Sequence, residues 1–162
     1  MKIIPLSEGS FTVDTSKKFI PFDHSRDNIK DRPAGSLLVE VQPFAVITSK
    51  DILVIDTGLG FSMPDGTLQI HYNLLQAGIN PLDVTKVLMS HLHKDHAGGI
   101  SKEDAVLKQK FLSFPNATYI VNKQELEIAV SKLSKSYAID DVSLLAESDK
   151  LQLVESTGVI DD

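Results

Sequence analysis

The chain has 162 residues, which is the length of one domain and enough to bury a hydrophobic core. Its formal net charge of −6 argues against a nucleic-acid partner, because phosphate binding relies on basic surface. No apolar run approaches the roughly 20 residues that cross a bilayer, and the N-terminal apolar run is too short for a signal peptide, so we expect a cytoplasmic protein without a membrane partner.

Short apolar segments separated by turn-forming residues predict a series of β-strands in the first third of the chain. The predicted strands are Lys2–Leu6, Phe11–Val13, Phe19–Phe22, Leu37–Val41, Phe44–Thr48 and Ile52–Ile55. The polar segment 23–35 is predicted to be a loop. The last of these strands contains only apolar residues, and we expect it to be buried on both faces.

From residue 52 onward the predicted strands and helices alternate, which is typical of a layered α/β arrangement. Further strands are predicted at Lys86–Met89, Ala117–Val121 and Leu151–Val154, and helices at Leu68–Ala77, around Lys102–Phe111 and from Asn122 onward. The first helix is expected to bury Ile70, Leu74, Leu75 and Ala77, and the last helix Leu126, Ala129, Val130 and Leu133. Asn122 is expected to cap the last helix, with Glu125 reaching back to it.

Three of the five histidines and one aspartate fall within S-H-L-H-K-D-H-A-G-G, at residues 90–99. Alternate side chains of an extended segment point the same way, so His91 and His93 can converge on a metal ion while the intervening leucine enters the core. The chain must then bend, and Asp95 and His96 present a second pair of ligands. The chain has no cysteine, and imidazole nitrogen with carboxylate oxygen suits Zn²⁺ and also Fe or Mn.

The D-T-G sequence at 56–58 ends a predicted strand and allows more than one interpretation. It is also the catalytic turn of aspartic proteases, which need two such aspartates sharing a proton, as a homodimer could supply. That interpretation leaves the histidine cluster unexplained, and a plain strand-ending turn is a further possibility. Of the remaining histidines, His71 is predicted to be a half-buried structural residue. His24 could line a substrate cleft or simply be solvated.

Several of these motifs together resemble one family. H-L-H-K-D-H-A-G-G resembles the H-x-H-x-D-H signature of the metallo-β-lactamase superfamily, and its lactonase-like and phosphotriesterase-like hydrolases are the most similar. The resemblance extends through D-T-G, the K-V-L-M-S before the cluster, and the F-P-N-A-T-Y-I-V-N-K-Q-E-L-E after it. It implies an α/β (α+β) fold that forms the N-terminal half of an αββα sandwich, a mixed sheet with helices on its outer face.

The resemblance also implies an activity and roles for residues. His91 and His93 would belong to one metal site and Asp95 and His96 to a second, with Asp95 also catalytic through the metal that it binds. Asp56 would lie behind these ligands and orient them through hydrogen bonds without binding metal. The implied activity is that of a binuclear zinc hydrolase of small ester, lactone or related electrophilic substrates, in which metal-bound hydroxide attacks.

Proteins of this family take further metal ligands from downstream segments, yet no histidine follows His96. We therefore expect residues 1–162 to be a single domain that is incomplete at its C-terminus and binds zinc weakly alone. The sheet face that a second half would cover could instead mediate association. Two alternatives remain open. Another polypeptide could complete the site, or the chain could be a non-catalytic binding module with this fold.

Overall fold

The computed structural model describes residues 1–131 and 135–156, in which eleven strands and four helices occur. The strands are β1 (Lys2–Pro5), β2 (Gly9–Val13), β3 (Phe19–Phe22), β4 (Leu37–Val41), β5 (Phe44–Ile47), β6 (Ile52–Ile55), β7 (Lys86–Leu88), β8 (Ser101–Glu103), β9 (Lys110–Leu112), β10 (Thr118–Asn122) and β11 (Leu151–Val154). The helices are α1 (Gln69–Gln76), α2 (Lys94–Ala97), α3 (Lys123–Ser131) and α4 (Ile139–Ala146). Short 3₁₀ turns lie at Ile29–Asp31 and Pro81–Asp83.

The main sheet has six strands in the order β1-β5-β6-β7-β10-β11. The pairs β1–β5 and β5–β6 are antiparallel, whereas β6, β7, β10 and β11 run parallel to one another. A second, antiparallel sheet has the order β3-β2-β4, and β8 pairs with β9. This mixed sheet with helices confirms the predicted fold class.

One face of the main sheet carries the core. Residues in register across all six strands form its central row, namely Ile4, Ala45, Val54, Val87, Tyr119 and Leu151. This row packs in one hydrophobic cluster with the inner residues of the helices, namely Ile70, Leu74, Leu126, Ala129, Val142 and Leu145. The adjacent row on the other face is less covered, since Ile3 is exposed and Val46 and Leu53 are half-buried. The helices thus cover one face of the sheet.

The prediction of a helix around residues 102–111 was wrong, because this segment forms the β8–β9 hairpin. Asp104 drives the turn, since its side chain accepts hydrogen bonds from the backbone N–H groups of Val106 and Leu107, at 2.8 Å each. An aspartate that binds the next backbone groups competes with helix formation. Lys108, in the left-handed region at φ 53°, completes the turn.

The apolar stripes of two helices differ from prediction. In α1 the buried residues are Ile70, His71 and Leu74, whereas Leu75 is 52% exposed. In α3, Leu126 and Ala129 are buried as predicted, but Val130 is 52% exposed, and Leu133 lies outside the described residues. Both helices present a narrower apolar face than the sequence pattern indicated, because each packs on the sheet along one side only.

Two further expectations were only partly correct. In β6, Val54 is fully buried, but the other residues of the strand are half-buried, because the second sheet face is partly open. Asn122 caps α3 through Gln124 N–H at 2.9 Å, as predicted, whereas Glu125 turns away from the cap and bonds another loop. Among the described residues, no helix is long and apolar enough to cross a membrane.

Candidate metal centre

The candidate site lies where two loops leave neighbouring parallel strands. The Asp56 loop (residues 56–60) follows β6, and the histidine loop (residues 90–99) follows β7. Because parallel strands end at the same edge of a sheet, the two loops meet there. Thr57 N–H donates to the His96 carbonyl at 2.7 Å, and Gly98 N–H donates to the Gly58 carbonyl at 2.9 Å.

Glycines allow this close approach. A Cβ at Gly98 would overlap the Leu59 carbonyl, and one at Gly99 would overlap the Thr57 carbonyl. Gly60, which has φ +72°, in turn leaves no room between itself and the Gly98 carbonyl. The backbones of the two loops are therefore in direct contact, and the histidine loop is positioned by the Asp56 loop.

Three side chains of the histidine loop present potential metal ligands to one point. One ligand atom from each of His91, Asp95 and His96 lies within 4.8 Å of the other two. The Asp95 Oδ2 and His96 Nε2 atoms are 3.6 Å apart. Ligands that bind one zinc ion at about 2 Å lie within roughly 4 Å of each other. These nitrogen and oxygen donors therefore lie close enough together to hold zinc with small side-chain adjustments.

His93 lies beside this group and is not among the three. Its ring packs against that of His91, with centroids 4.7 Å apart, and against Tyr137 at 5.0 Å. Its carbonyl starts α2 by accepting from the N–H groups of His96 and Ala97. The intervening Leu92 is fully buried, as the alternation of side chains predicts.

Asp56 connects the potential ligands through hydrogen bonds. Its Oδ2 accepts from His96 Nδ1 at 2.7 Å and from Ser90 Oγ at 2.7 Å, while its Oδ1 accepts from Ser90 N–H at 2.8 Å. Ser90 Oγ is also 3.2 Å from His91 Nδ1. Because the Ser90 hydroxyl donates its proton to Asp56, its oxygen can accept a hydrogen bond from the His91 ring. One carboxylate thus orients both imidazoles and leaves their Nε2 atoms for a metal.

The ionisation of these groups follows from their contacts. Burial opposes the charge on Asp56, but the hydrogen bonds from His96 and Ser90 outweigh it and lower its pKa. The same hydrogen bond from His96 to Asp56 raises the pKa of His96. Burial, with the nearby His96 and His93, lowers the pKa of His91, which favours the neutral imidazole that binds metal.

The sequence did not reveal the residues that support the loop from outside it. Glu125 of α3 accepts from Leu92 N–H at 2.9 Å, and the Ser136 carbonyl accepts from Lys94 N–H at 2.8 Å. Burial and, after it, the nearby Glu125 carboxylate raise the pKa of the Tyr137 phenol. These partners are more than 30 residues away along the chain, and no local motif signals them.

A cavity of about 170 Å³ adjoins the site and is bordered by His93, Lys94 and Asp95. Its other walls are mostly apolar and come from β2, β3 and β4, with Val13, Phe19, Leu37 and Val39. This shape suits a small molecule with an apolar part. His24 does not border this cavity. It lines a different cleft, where its Nε2 lies 2.9 Å from Ser10 Oγ.

The geometry gives little support to an aspartic-protease turn at residues 56–58. The Asp56 carboxylate is occupied by Ser90 and His96, and its backbone is left-handed at φ 59°. Neither feature suits an aspartate that must share a proton with the same aspartate of a second subunit.

His71 lies away from the candidate metal centre. It is buried against Phe114, with ring centroids 5.0 Å apart. It is therefore a structural residue, although more buried than predicted.

Comparison with known proteins agrees with this fold. The profile of the metallo-beta-lactamase superfamily matches residues 38–127, which is more than half of the chain and includes both loops. The chain belongs to the metallo-beta-lactamase superfamily.

Relatives within the family can be named. The chain is 46% identical over 52 residues to the N-acyl homoserine lactonase AttM of Azorhizobium caulinodans, a match that covers 32% of this chain and 16% of AttM. Among solved structures it is similar to AidC, a dizinc quorum-quenching lactonase, with a TM-score of 0.67 and 19% identity over 98% of this chain and 59% of AidC. A probable metal-dependent hydrolase from Staphylococcus aureus gives a TM-score of 0.69 and 22% identity over 99% of this chain and 61% of that one. The chain therefore spans about 60% of the length of these structural relatives.

Proposed function

We propose that the protein is a metal-dependent hydrolase whose zinc ions are bound by the histidine loop. His91 and His93 would bind one ion, and Asp95 and His96 would bind the second. The observation that carries the proposal is the convergence of His91, Asp95 and His96, with both imidazoles oriented through Asp56. A histidine-rich surface loop without a metal site would not require these hydrogen bonds from Asp56 to the two histidines.

Zinc, when bound, supplies a water of lowered pKa and polarises the carbonyl oxygen of the substrate. The residues of the chain have separate tasks. Asp56 holds the Nδ1 proton of His96 and so directs the other nitrogen to the metal. Asp95 borders the apolar cavity, so as a ligand it would hold the metal at the mouth of that cavity.

For the substrate we propose small lactones or esters that carry an apolar acyl group. The apolar walls of the cavity beside His93 support this, as do relatives described as N-acyl homoserine lactonases. Because the chain spans 59% of AidC, we assign this activity to the protein at its full encoded length.

The test is hydrolysis of N-hexanoyl homoserine lactone by the protein at its full encoded length, before and after zinc removal by a chelator. We expect activity that disappears with zinc, returns on its addition, and is lost in His91→Ala and Asp95→Asn. His24→Ala is the matched control, because this exposed histidine lies outside the site, and it should retain activity. A zinc-loaded protein that hydrolyses no lactone or ester would contradict the proposal and favour a binding module.

A further inference from the structure

Glu8, in the connection between β1 and β2, is an acidic residue almost fully removed from solvent, at 6% exposure. Its backbone is held on two sides. Its N–H donates to the Val41 carbonyl at 2.8 Å, and its carbonyl accepts from the side chain of Gln69 at 3.0 Å. The backbone of Glu8 is therefore anchored by a strand and a helix that contribute none of the potential metal ligands.

The carboxyl group of Glu8 contacts the Asp56 loop. Its Oε2 accepts from Leu59 N–H at 2.7 Å, and its carboxyl lies so close to Gly58 that no Cβ would fit there. Its Oε1 is buried, and no hydrogen-bond partner for it occurs among residues 1–131 and 135–156. A buried acid with an unpaired oxygen is costly, and such groups are retained where they serve a purpose.

We propose that Glu8 is a positioning residue that holds the Asp56 loop against the histidine loop and thereby fixes the hydrogen bond between Asp56 and His96. Direct contacts connect Glu8 to the Asp56 loop, and that loop to the histidine loop. Glu8 contacts Gly58 and Leu59, two and three residues beyond Asp56, and the same loop bonds the histidine loop through Thr57 and Gly58. The inference rests on the proposed metal site, since positioning of His96 matters for zinc binding.

The position makes the loop sensitive to pH. Burial raises the pKa of Glu8 to about 7, although the hydrogen bond from Leu59 opposes the shift. The charged groups around it have other partners. Asp56 binds His96, and Glu40 of β4 binds Ser7 and Ser10.

The cleft that Glu8 and His24 both line contains two further titratable groups, and both have hydrogen-bond partners. Asp23 accepts from Ser25, and His24 lies at hydrogen-bond distance from Ser10. Helix α1 contributes the uncharged Gln69 to this cleft. A glutamate in water ionises near pH 4.5, whereas the buried Glu8 stays neutral up to about pH 7. The support that Glu8 gives the loop therefore weakens as the pH rises from about 4.5 to 7 and is lowest above that range, where the ionised carboxylate favours water.

The experiment measures the zinc dissociation constant of the protein at its full encoded length between pH 6 and pH 9. The variants are Glu8→Ala and Glu8→Gln, with Asp23→Asn as the matched control, an exposed acid that lines the same cleft. Thermal unfolding checks that each variant is folded. The NMR shift of His96 Nδ1 in the zinc-free protein reports its hydrogen bond to Asp56 independently of zinc.

At pH 6 we expect Glu8→Ala to bind zinc about 10- to 100-fold more weakly than the wild type, as for other residues that orient metal ligands. Glu8→Gln should bind zinc more tightly than the wild type, and its advantage should be larger at pH 8.5 than at pH 6, because the amide keeps the acceptor for Leu59 and cannot ionise. Asp23→Asn should follow the wild type throughout. In Glu8→Ala the His96 Nδ1 shift should move toward that of a free imidazole.

Unchanged zinc affinity in a folded Glu8→Ala, or the same pH dependence in wild type and Glu8→Gln, would overturn the inference. If Glu8→Ala does not fold, the Glu8→Gln comparison decides. A wild-type protein that takes up no zinc contradicts the proposed function instead. In that case the His96 shift in Glu8→Ala still decides whether Glu8 positions the loop.

Discussion

At the scale of single residues, Asp56 does more than its place in a turn suggests. It has a left-handed backbone at φ 59°, a conformation that costs on the order of 1 kcal/mol for a residue other than glycine. Aspartate tolerates it better than most residues. In return, its two oxygens reach Ser90 and His96 from the end of the adjacent strand, and two imidazoles are oriented by one carboxylate.

Replacing Asp56 by Asn should weaken zinc binding about 10- to 100-fold, because the amide holds the His96 ring less strongly and can favour the wrong tautomer. Titration with zinc against a competing chelator measures the change. Asp51→Asn is the control, because Asp51 pairs with Lys86 at 2.6 Å before β6 begins, away from the ligands. Equal zinc affinity in the two variants would show that Asp56 does not orient the site.

His71 predicts an acid sensitivity of the metal-free protein. Burial, with a contribution from Lys102, lowers its pKa from 6.5 to about 4. The native state therefore favours neutral His71, and the unfolded state binds more protons between these values. Stability from this residue is complete above pH 6.5 and is lost as the pH falls toward 4.

His71→Leu should remove this loss, so that its free energy of unfolding falls less than that of the wild type between pH 7 and pH 4.5, by about 2 kcal/mol. Urea unfolding at both pH values measures it. His24→Leu, at an exposed histidine, should show the wild-type dependence. Parallel curves for His71→Leu and wild type would mean that His71 is protonated in the folded protein.

The potential ligands could be predicted from sequence, because His91, Asp95 and His96 lie within six positions and their spacing carries the information. The contacts that orient or support them could not. Ser90 was overlooked because a serine beside a histidine is unremarkable. Glu125 was assigned to a helix cap, and the structure instead places its carboxylate on Leu92, 33 positions earlier. Such pairings depend on how α3 docks, which local patterns do not encode.

At the scale of elements, the site depends on two loops that follow parallel strands and pack backbone to backbone. Gly98 and Gly99 face the carbonyls of Leu59 and Thr57 at distances that exclude a side chain. The H-A-G-G end of the motif is therefore explained by packing. The glycines let the histidine loop lie against the Asp56 loop.

Gly99→Ala should destabilise the protein by about 1–3 kcal/mol through the overlap with Thr57, and should also weaken zinc binding because the histidine loop shifts. Gly66→Ala is the control. Gly66 has φ +85° but no neighbour within 4 Å, so its substitution strains the backbone and leaves zinc affinity unchanged. Chemical unfolding and zinc titration of both variants provide the comparison, and normal zinc binding by Gly99→Ala would count against loop packing as the origin of the site.

Among the elements, the strands were predicted best, because each is a short apolar run between turn residues. The segment 101–112 was not, because its helix-forming lysines and glutamate concealed the turn that Asp104 directs. Helix α4 was also missed. Its residues Val142 and Leu145 are fully buried only because α3 and β9 lie against them, which is a tertiary effect.

At the scale of the whole molecule, the uneven cover of the main sheet is the main feature. The helices bury one face, while Ile3 on the other is 58% exposed and Val46 and Leu53 are half-buried. Apolar surface of this kind favours association. The 162-residue chain spans about 60% of the length of its structural relatives.

We predict that residues 1–162 expressed alone self-associate through this face and bind zinc weakly. Ile3→Lys should increase the monomer fraction measured by light scattering after size-exclusion chromatography. Val106→Lys, which replaces another exposed apolar residue (88% exposed) on the β8–β9 turn, should leave the monomer fraction unchanged. A monomeric wild-type chain, or equal effects of the two substitutions, would show that the sheet face is not the associating surface.

Zinc binding by the histidine loop underlies the proposed function, and anomalous diffraction at the zinc absorption edge from crystals of the full-length protein tests it without relying on activity. We predict an anomalous peak at about 2.0–2.2 Å from His96 Nε2 and Asp95 Oδ2, and a second beside His91 and His93. A zinc-loaded crystal with no peak within bonding distance of these residues would show that the histidine loop is not a metal site.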